Sequence, residues 1–562
     1  MASLYGAYRS LPLSASIPLT IALIIAFAIA QNVVSQLWFP DRKRPPVVFH
    51  VFPWIGSTVQ YGMDPYKFFA ECRAKHGDCF TFILLGTPHT VYLGAKGNNF
   101  ILNGKHSDLN AEDIYGKLTT PVFGNGVIYD CPNEKLMDQK RLVKEAFTTK
   151  ALRSYIPKFV KEVEDYVRTS PNFKGQSGTC NITEALAEIT IYTATVSLQG
   201  NEVRSKFDDT FATLYRHLDD GFQPINFVAP WLPLPQNRRR DRARQVMEDL
   251  YIDIIRRRRH RANAGDQQQH DEEEESDMIA ALMDGQYKDG TTLSDLHVAR
   301  LMIAMLMAGQ HNTAASGAWV LLNLAHRPEL VEELWQEQLA VLGPGAELTL
   351  EGLESLALNK QVMKETLRLH SPIHSILRAV TAPMPVPGTD WAVPRGHVVL
   401  ASPGFMARSE EVFPRPMVWD PHRWDGGAGE EDKEEGEVTG PTVNYGFGVM
   451  SKSVTSPYLP FGAGRHRCVG EKFAYVQLGA TLATLVRLLK MEQVDPEADV
   501  PATDYSVCSF LLSIQYLFAP FERALANERC SHTVDVLEAD EPCFDQVASP
   551  VKEKWVFLVR LR

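Results

Sequence analysis

The chain has 562 residues, 45% hydrophobic and 22% charged, with a formal net charge of −11. That balance supplies a large apolar core and excludes a globally disordered, collagen-like or low-complexity chain. The excess of 68 acidic over 57 basic side chains repels polyphosphates, so nucleic acid is not an expected partner and small or apolar substrates fit better.

At about 150 residues per domain the length allows up to four domains, yet large single-core enzymes exceed that quotient and one catalytic unit fits as well. Of the 8 cysteines, only Cys72 and Cys79 lie close together, without metal-ligand spacing. A disulfide scaffold or zinc cluster is therefore not expected, and the chain fits a reducing compartment.

From Ser16 to Leu37 the sequence carries no charge, and at about 1.5 Å per residue it reaches roughly 33 Å as a helix, enough to cross a bilayer core. Ala26, Ala28 and Ala30 fall within this run rather than after it, which favours a retained anchor over a cleaved signal peptide. Asp41-Arg42-Lys43-Arg44 follows, against Arg9 and the terminal amine before it, so the positive-inside rule places the large C-terminal part in the cytosol. The sequon at Asn181 then goes unused. Trp38-Phe39-Pro40 would sit at the interface and Pro45-Pro46 stiffen the exit, predicting a hinge between anchor and body.

No fixed-period repeat is visible, so a single non-repeating body follows. Acidic runs at Asp271–Glu275 and Glu430–Glu437 read as solvated insertion loops. Val246, Leu250, Ile254 and Ile255 recur at helical spacing between the basic runs Arg238–Arg240 and Arg256–Arg259, predicting a long surface helix with hydrated arginines.

Residues 295–327 are free of proline and apolar nearly all round, with Ser294 as cap candidate and Pro328 as stop. They predict a buried central helix. Further helices are expected over 331–341, 354–369 and 471–490, and short strands over 81–85 and 397–402. The fold class is mainly α with small β-sheets.

Pro460 opens the loop FGAGRHRCVG (461–470), where glycines at 462, 464 and 470 strip side chains from around Cys468 just before a helical run. A flat ligand could approach that backbone closely. The helix N-terminus, together with Arg465, His466 and Arg467, favours a thiolate at Cys468, and a thiolate is an iron ligand. Glu365 and Arg368 share one helix face, and Arg423 follows in a proline-fixed segment, so a buried Glu-Arg-Arg network can form.

In order and spacing, ETLR (365–368), DPHRW (420–424) and FGAGRHRCVG resemble the three signatures of the cytochrome P450 superfamily. Residues 115–130 (YGKLTTPVFGNGVIYD), 306–312 (LMAGQHN) and 370–378 (HSPIHSILR) look like those of fungal-type sterol (lanosterol/eburicol) 14α-demethylases. The resemblance implies a cytochrome P450 fold preceded by one N-terminal transmembrane helix. It divides the chain into an anchor and basic/proline linker (1–45), a catalytic domain (46–506) and a divergent tail (507–562).

It further implies haem (iron protoporphyrin IX) with Cys468 as axial ligand of the iron, and Tyr115, Tyr129, Lys140, Arg378 and His466 on the propionates. Thr119, Phe123, Ile128, Ala308 and Ser375 would line the sterol cavity. His311, Asn312 and Thr313 would handle protons, and Glu365, Arg368 and Arg423 would stabilise the fold. Asn312 departs from the family, which usually has a hydroxyl there; this puts proton delivery in question.

The implied activity is NADPH- and O2-dependent removal of a sterol 14α-methyl group at the endoplasmic reticulum membrane. NADPH-cytochrome P450 reductase would supply electrons, and azole inhibitors would bind. The sequence after Ser506 departs from the short hairpin expected there.

Overall fold

The computed structural model describes residues 12–173, 177–207, 209–223, 225–263, 277–427, 442–444, 449–451, 454, 456–495, 499–501, 503 and 556–561. Both acidic runs and most of the divergent tail lie outside them.

The anchor is one helix, Leu13–Trp38, apolar and long enough to cross a membrane and not buried against the body. The expected hinge at its exit is bridged. Asn32 Nδ2 donates to the carbonyls of His50 and Val51 at 2.9 and 3.1 Å. One turn on, Gln36 donates to His50 O at 2.8 Å and accepts from His50 N at 3.1 Å. Side-chain amides thus brace the helix to the chain just past the prolines.

The body is mainly helical. Ser294 Oγ accepts from His297 N and caps the central helix, Asp295–Ala325, satisfying one of its free amides. Pro328 does more than stop it: it opens the next helix, Pro328–Leu342, where its missing N–H costs nothing. The helix expected from 354 begins instead at Ala357, after a separate turn at Leu350–Glu354.

The arginine-rich helix runs Pro235–Asn263 and is less of a surface helix than expected. Met247, Tyr251, Ile254 and Ile255 are fully buried, whereas Val246 is exposed. Arg258 is buried 2.8 Å from Asp277, since a buried guanidinium requires an acid partner.

Four strands and a two-residue edge form the main sheet, in the order Cys79–Leu84, Thr87–Tyr92, Val398–Ala401, Ile376–Val380 and Leu109–Asn110. The Thr87–Tyr92 and Val398–Ala401 strands are parallel, with His89 opposite Val398; the other neighbours are antiparallel. A second sheet draws on the far end of the chain: Val556–Leu561 lies between Leu489–Gln493 and Ser177–Asn181, pairing Leu561 with Leu489 and Val556 with Asn181. The main sheet, through Ile376 and Arg378, and the central helix both contribute to the wall of an internal cavity.

Candidate active site

A cavity of about 390 Å³ lies between the central helix, the cysteine loop and the helix Glu112–Phe123. Its floor is the loop the glycines shape. Gly462 and Gly464 take φ of +70° and +67°, and a Cβ on Gly464 would sit 2.3 Å from Leu102 O. Only glycine fits there. The turn ends with Cys468 N donating to Phe461 O at 3.0 Å, and the sulfur is accessible from the cavity.

The charge around that sulfur is lower than the sequence implies. Burial, with Arg378 and Lys140 nearby, pushes His466 well below its usual range, so the ring is neutral. Arg467 donates to Glu471 at 2.8 Å. Burial pushes the Cys468 thiol up, and the Gly470 N–H only partly offsets it. Coordination to a haem iron would favour the thiolate against that shift.

Arg378 is 4% exposed and lines the cavity. It donates to Leu377 O at 2.7 Å and meets the Tyr115 hydroxyl, which accepts from Leu377 N at 3.0 Å. Tyr129 stacks obliquely between Tyr115 and His466, with centroids 5.1 and 6.0 Å away. Lys140 Nζ donates to the carbonyls of Arg465 and Arg467 at 2.9 and 2.7 Å, clamping the cysteine loop from behind, and burial pushes it down to about 7.

The five residues expected around the propionates thus gather at one end of the cavity, although Lys140 is not on its wall. Among the described residues no carboxylate forms an ion pair with Arg378. A buried guanidinium without an acid partner is costly, and a carboxylate-bearing ligand removes that cost. A sulfur at the floor, a buried cation and two tyrosine hydroxyls fit haem with its two propionates.

Thr119, Phe123, Ile128 and Ala308 line the cavity as expected. Ser375 does not: its hydroxyl lies 3.0 Å from Tyr61 Oη and 2.7 Å from His374 Nδ1, because the chain between Ile373 and Ile376 turns that side chain away from the wall. Phe147, Leu198 and Phe222 also line the cavity; no local pattern marks them, since they come from separate short segments.

On the central helix, a Cβ at Gly309 would meet open space. Asn312 and Thr313 line the cavity. Asn312 Nδ2 donates to Ala308 O at 3.4 Å, while its Oδ1 is buried with no partner among the described residues. His311 is buried behind this wall, 2.9 Å from Asp219 and stacked on Tyr215.

The charge network closes as expected. Arg368 donates to both Glu365 oxygens at 2.8 and 2.9 Å, and Arg423 Nε donates to Glu365 at 3.1 Å. Asp420 N and Trp424 Nε1 saturate the same carboxylate.

A haem-binding fold of this construction has known relatives. The cytochrome P450 family profile matches residues 45–517, and the chain belongs to that family. Within it, the chain is similar to sterol 14-alpha demethylase CYP51C of Gibberella zeae, at 68% identity over 90% of this chain and 96% of the relative. It is 53% identical to sterol 14-alpha demethylase cyp51A of Aspergillus fumigatus over 86% of this chain and 93% of that one. Eburicol 14-alpha-demethylase of Uncinula necator is 51% identical over 86% of this chain and 91% of its own. A solved structure, retinoic acid-bound cyanobacterial CYP120A1, shares the fold with a TM-score of 0.64 at 21% identity, covering 82% of this chain and 95% of that one.

Proposed function

We propose that the protein is a haem-thiolate monooxygenase that removes the 14α-methyl group of lanosterol- or eburicol-like sterols, in ergosterol-type biosynthesis. It does so by three successive oxidations, each using O2 and two electrons, and the methyl leaves as formate. The observation that carries this reading is an accessible Cys468 facing a largely apolar cavity in a chain so similar to sterol 14-alpha demethylases.

When bound, haem supplies the activation of O2. Cys468 would hold its iron, while Arg378, Tyr115, Tyr129 and His466 would face its carboxylate side, with Lys140 bracing the cysteine loop from behind. Thr119, Phe123, Ile128 and Ala308 exclude water and orient the sterol. Asn312 Oδ1, which has no partner among the described residues, accepts from an ordered water, and the neighbouring Thr313 hydroxyl extends that proton path. His311 stands behind the wall against Asp219. Glu365, Arg368 and Arg423 hold the floor's scaffold.

Electrons come from NADPH-cytochrome P450 reductase, and azoles compete with sterol at the haem. The anchor helix crosses the endoplasmic reticulum membrane once and keeps the body cytosolic. Exposed Phe49, Phe52, Trp54, Val59 and Met63 support this by continuing the anchor's apolar surface. The test is turnover with reductase, NADPH, and lanosterol or eburicol. Formate with 14-demethylated sterol is expected; no formate and no substrate-type spectral shift with either sterol would refute the reading.

A further inference from the structure

Between the helix Glu112–Phe123 and the cavity wall, alternate residues adopt left-handed backbone: Gly124 at φ +91°, Gly126 at +80° and Ile128 at +53°. Glycine takes that conformation freely, but for a β-branched residue it is a strained outlier. Such strain persists only where the surroundings enforce it. A third glycine would relieve it and leave the wall without the Ile128 side chain, which lines the cavity.

Among the described residues, four side chains pin the turn. Arg300 Nη1 donates to Asn125 O at 2.9 Å, and Asp130 accepts from Gly126 N at 2.8 Å. The strained residue itself is held from both sides: Cys131 Sγ donates to Ile128 O at 3.2 Å, and the amide side is taken by Gln139. Its Oε1 accepts from Ile128 N at 2.8 Å, and its Nε2 donates to Gly126 O at 3.0 Å and to Tyr287 Oη at 3.3 Å. Gln139 is 1% exposed and is not among the residues lining the cavity.

We propose that Gln139 is a positioning residue for ligand recognition: its carboxamide locks the 124–128 turn in the left-handed form that presents Ile128 and Tyr129 to the cavity. This rests on the reading of the cavity as a haem and sterol site. A side-chain amide suits the task because it pairs with a backbone N–H and a backbone C=O two residues apart, as another strand would. Leucine at 139 keeps the volume and removes both bonds. The turn then relaxes, and Ile128 leaves the wall without any change at the cysteine loop.

The experiment measures lanosterol affinity by its spectral shift in full-length holoprotein for the natural protein, Gln139→Leu, Ile128→Gly and the double variant. Haem ligation is checked in each by the red-shifted carbon monoxide band of the reduced protein. Gln139→Leu is expected to bind lanosterol about tenfold more weakly with its band intact, whereas in an Ile128→Gly background the same change costs less than about threefold, because glycine needs no lock.

Affinity of Gln139→Leu within twofold of the natural protein, or purely additive effects in the double variant, would overturn the proposal. If Gln139→Leu alone yields no folded holoprotein, the double variant is expected to yield it, and its failure too counts against the proposal. A natural protein lacking the carbon monoxide band overturns the haem reading and this inference with it; a normal band with unchanged affinity overturns this inference alone.

Discussion

In the cysteine loop itself the polar groups are already engaged: Lys140 holds two loop carbonyls, Arg467 holds Glu471, and Cys468 N closes the turn on Phe461. The central-helix wall is built the other way, with open space over Gly309 and, among the described residues, an unpartnered acceptor at Asn312. A loop that must hold one flat group in one place is braced by internal bonds. A side that must admit a sterol, oxygen and water keeps room and a spare hydrogen-bonding site.

The sharpest way to break this contrast is to remove the sulfur. Cys468→Ala is expected to abolish the thiolate carbon monoxide band and all turnover, while circular dichroism shows the helical fold retained. Next comes the scaffold beneath the floor. Glu365→Ala leaves two guanidiniums facing a buried void, where Glu365 and Arg368 side chains are 0% exposed, and should cost about 3–5 kcal/mol in denaturant unfolding. A loss below about 1 kcal/mol would show that the network is dispensable.

Behind the wall, pH probes the packing. Burial holds His370 down to about 3, and its ring lies flat on Trp319 at 3.8 Å. The unfolded chain therefore takes up the proton first as pH falls. Stability from this group is full above about 6.5, falls as pH drops from there towards about 3, and is then constant. His370→Phe keeps the stacking and is expected to flatten the acid limb of thermal stability by up to about 1.4 kcal/mol per pH unit in that window. An unchanged slope would mean that the ring is protonated in the fold.

The smallest effect falls on the open wall. Asn312→Thr restores a hydroxyl and should lower peroxide released per O2 consumed by roughly a factor of a few, measured with reductase and lanosterol. Equal leakage would mean that the amide and its water already deliver protons fully.

Local chemistry was the legible part of this molecule. Ser294 and Pro328 bracket the central helix because capping and missing amides act within a turn, and the glycines around Cys468 declare a close backbone approach. Glu365, Arg368 and Arg423 were readable as a set only through their order along the chain.

What sequence reading missed depends on partners far away in sequence. Asp219 faces His311, Asp277 draws Arg258 inward, and Tyr61 and His374 take the Ser375 hydroxyl from the wall. The left-handed backbone of Ile128 runs against every propensity of that residue, so no periodicity announces it. The neutral His466 and the raised Cys468 thiol likewise follow from burial, which only the folded chain reveals.

The paired amides of Asn32 and Gln36 carry a mechanical consequence. A body joined to its tether by one flexible joint could swivel and present any face to the lipid. Fastened at a second point through His50 and Val51, a body whose N-terminal helix crosses a membrane as proposed would ride like a rudder, its attitude set by the tilt of that helix.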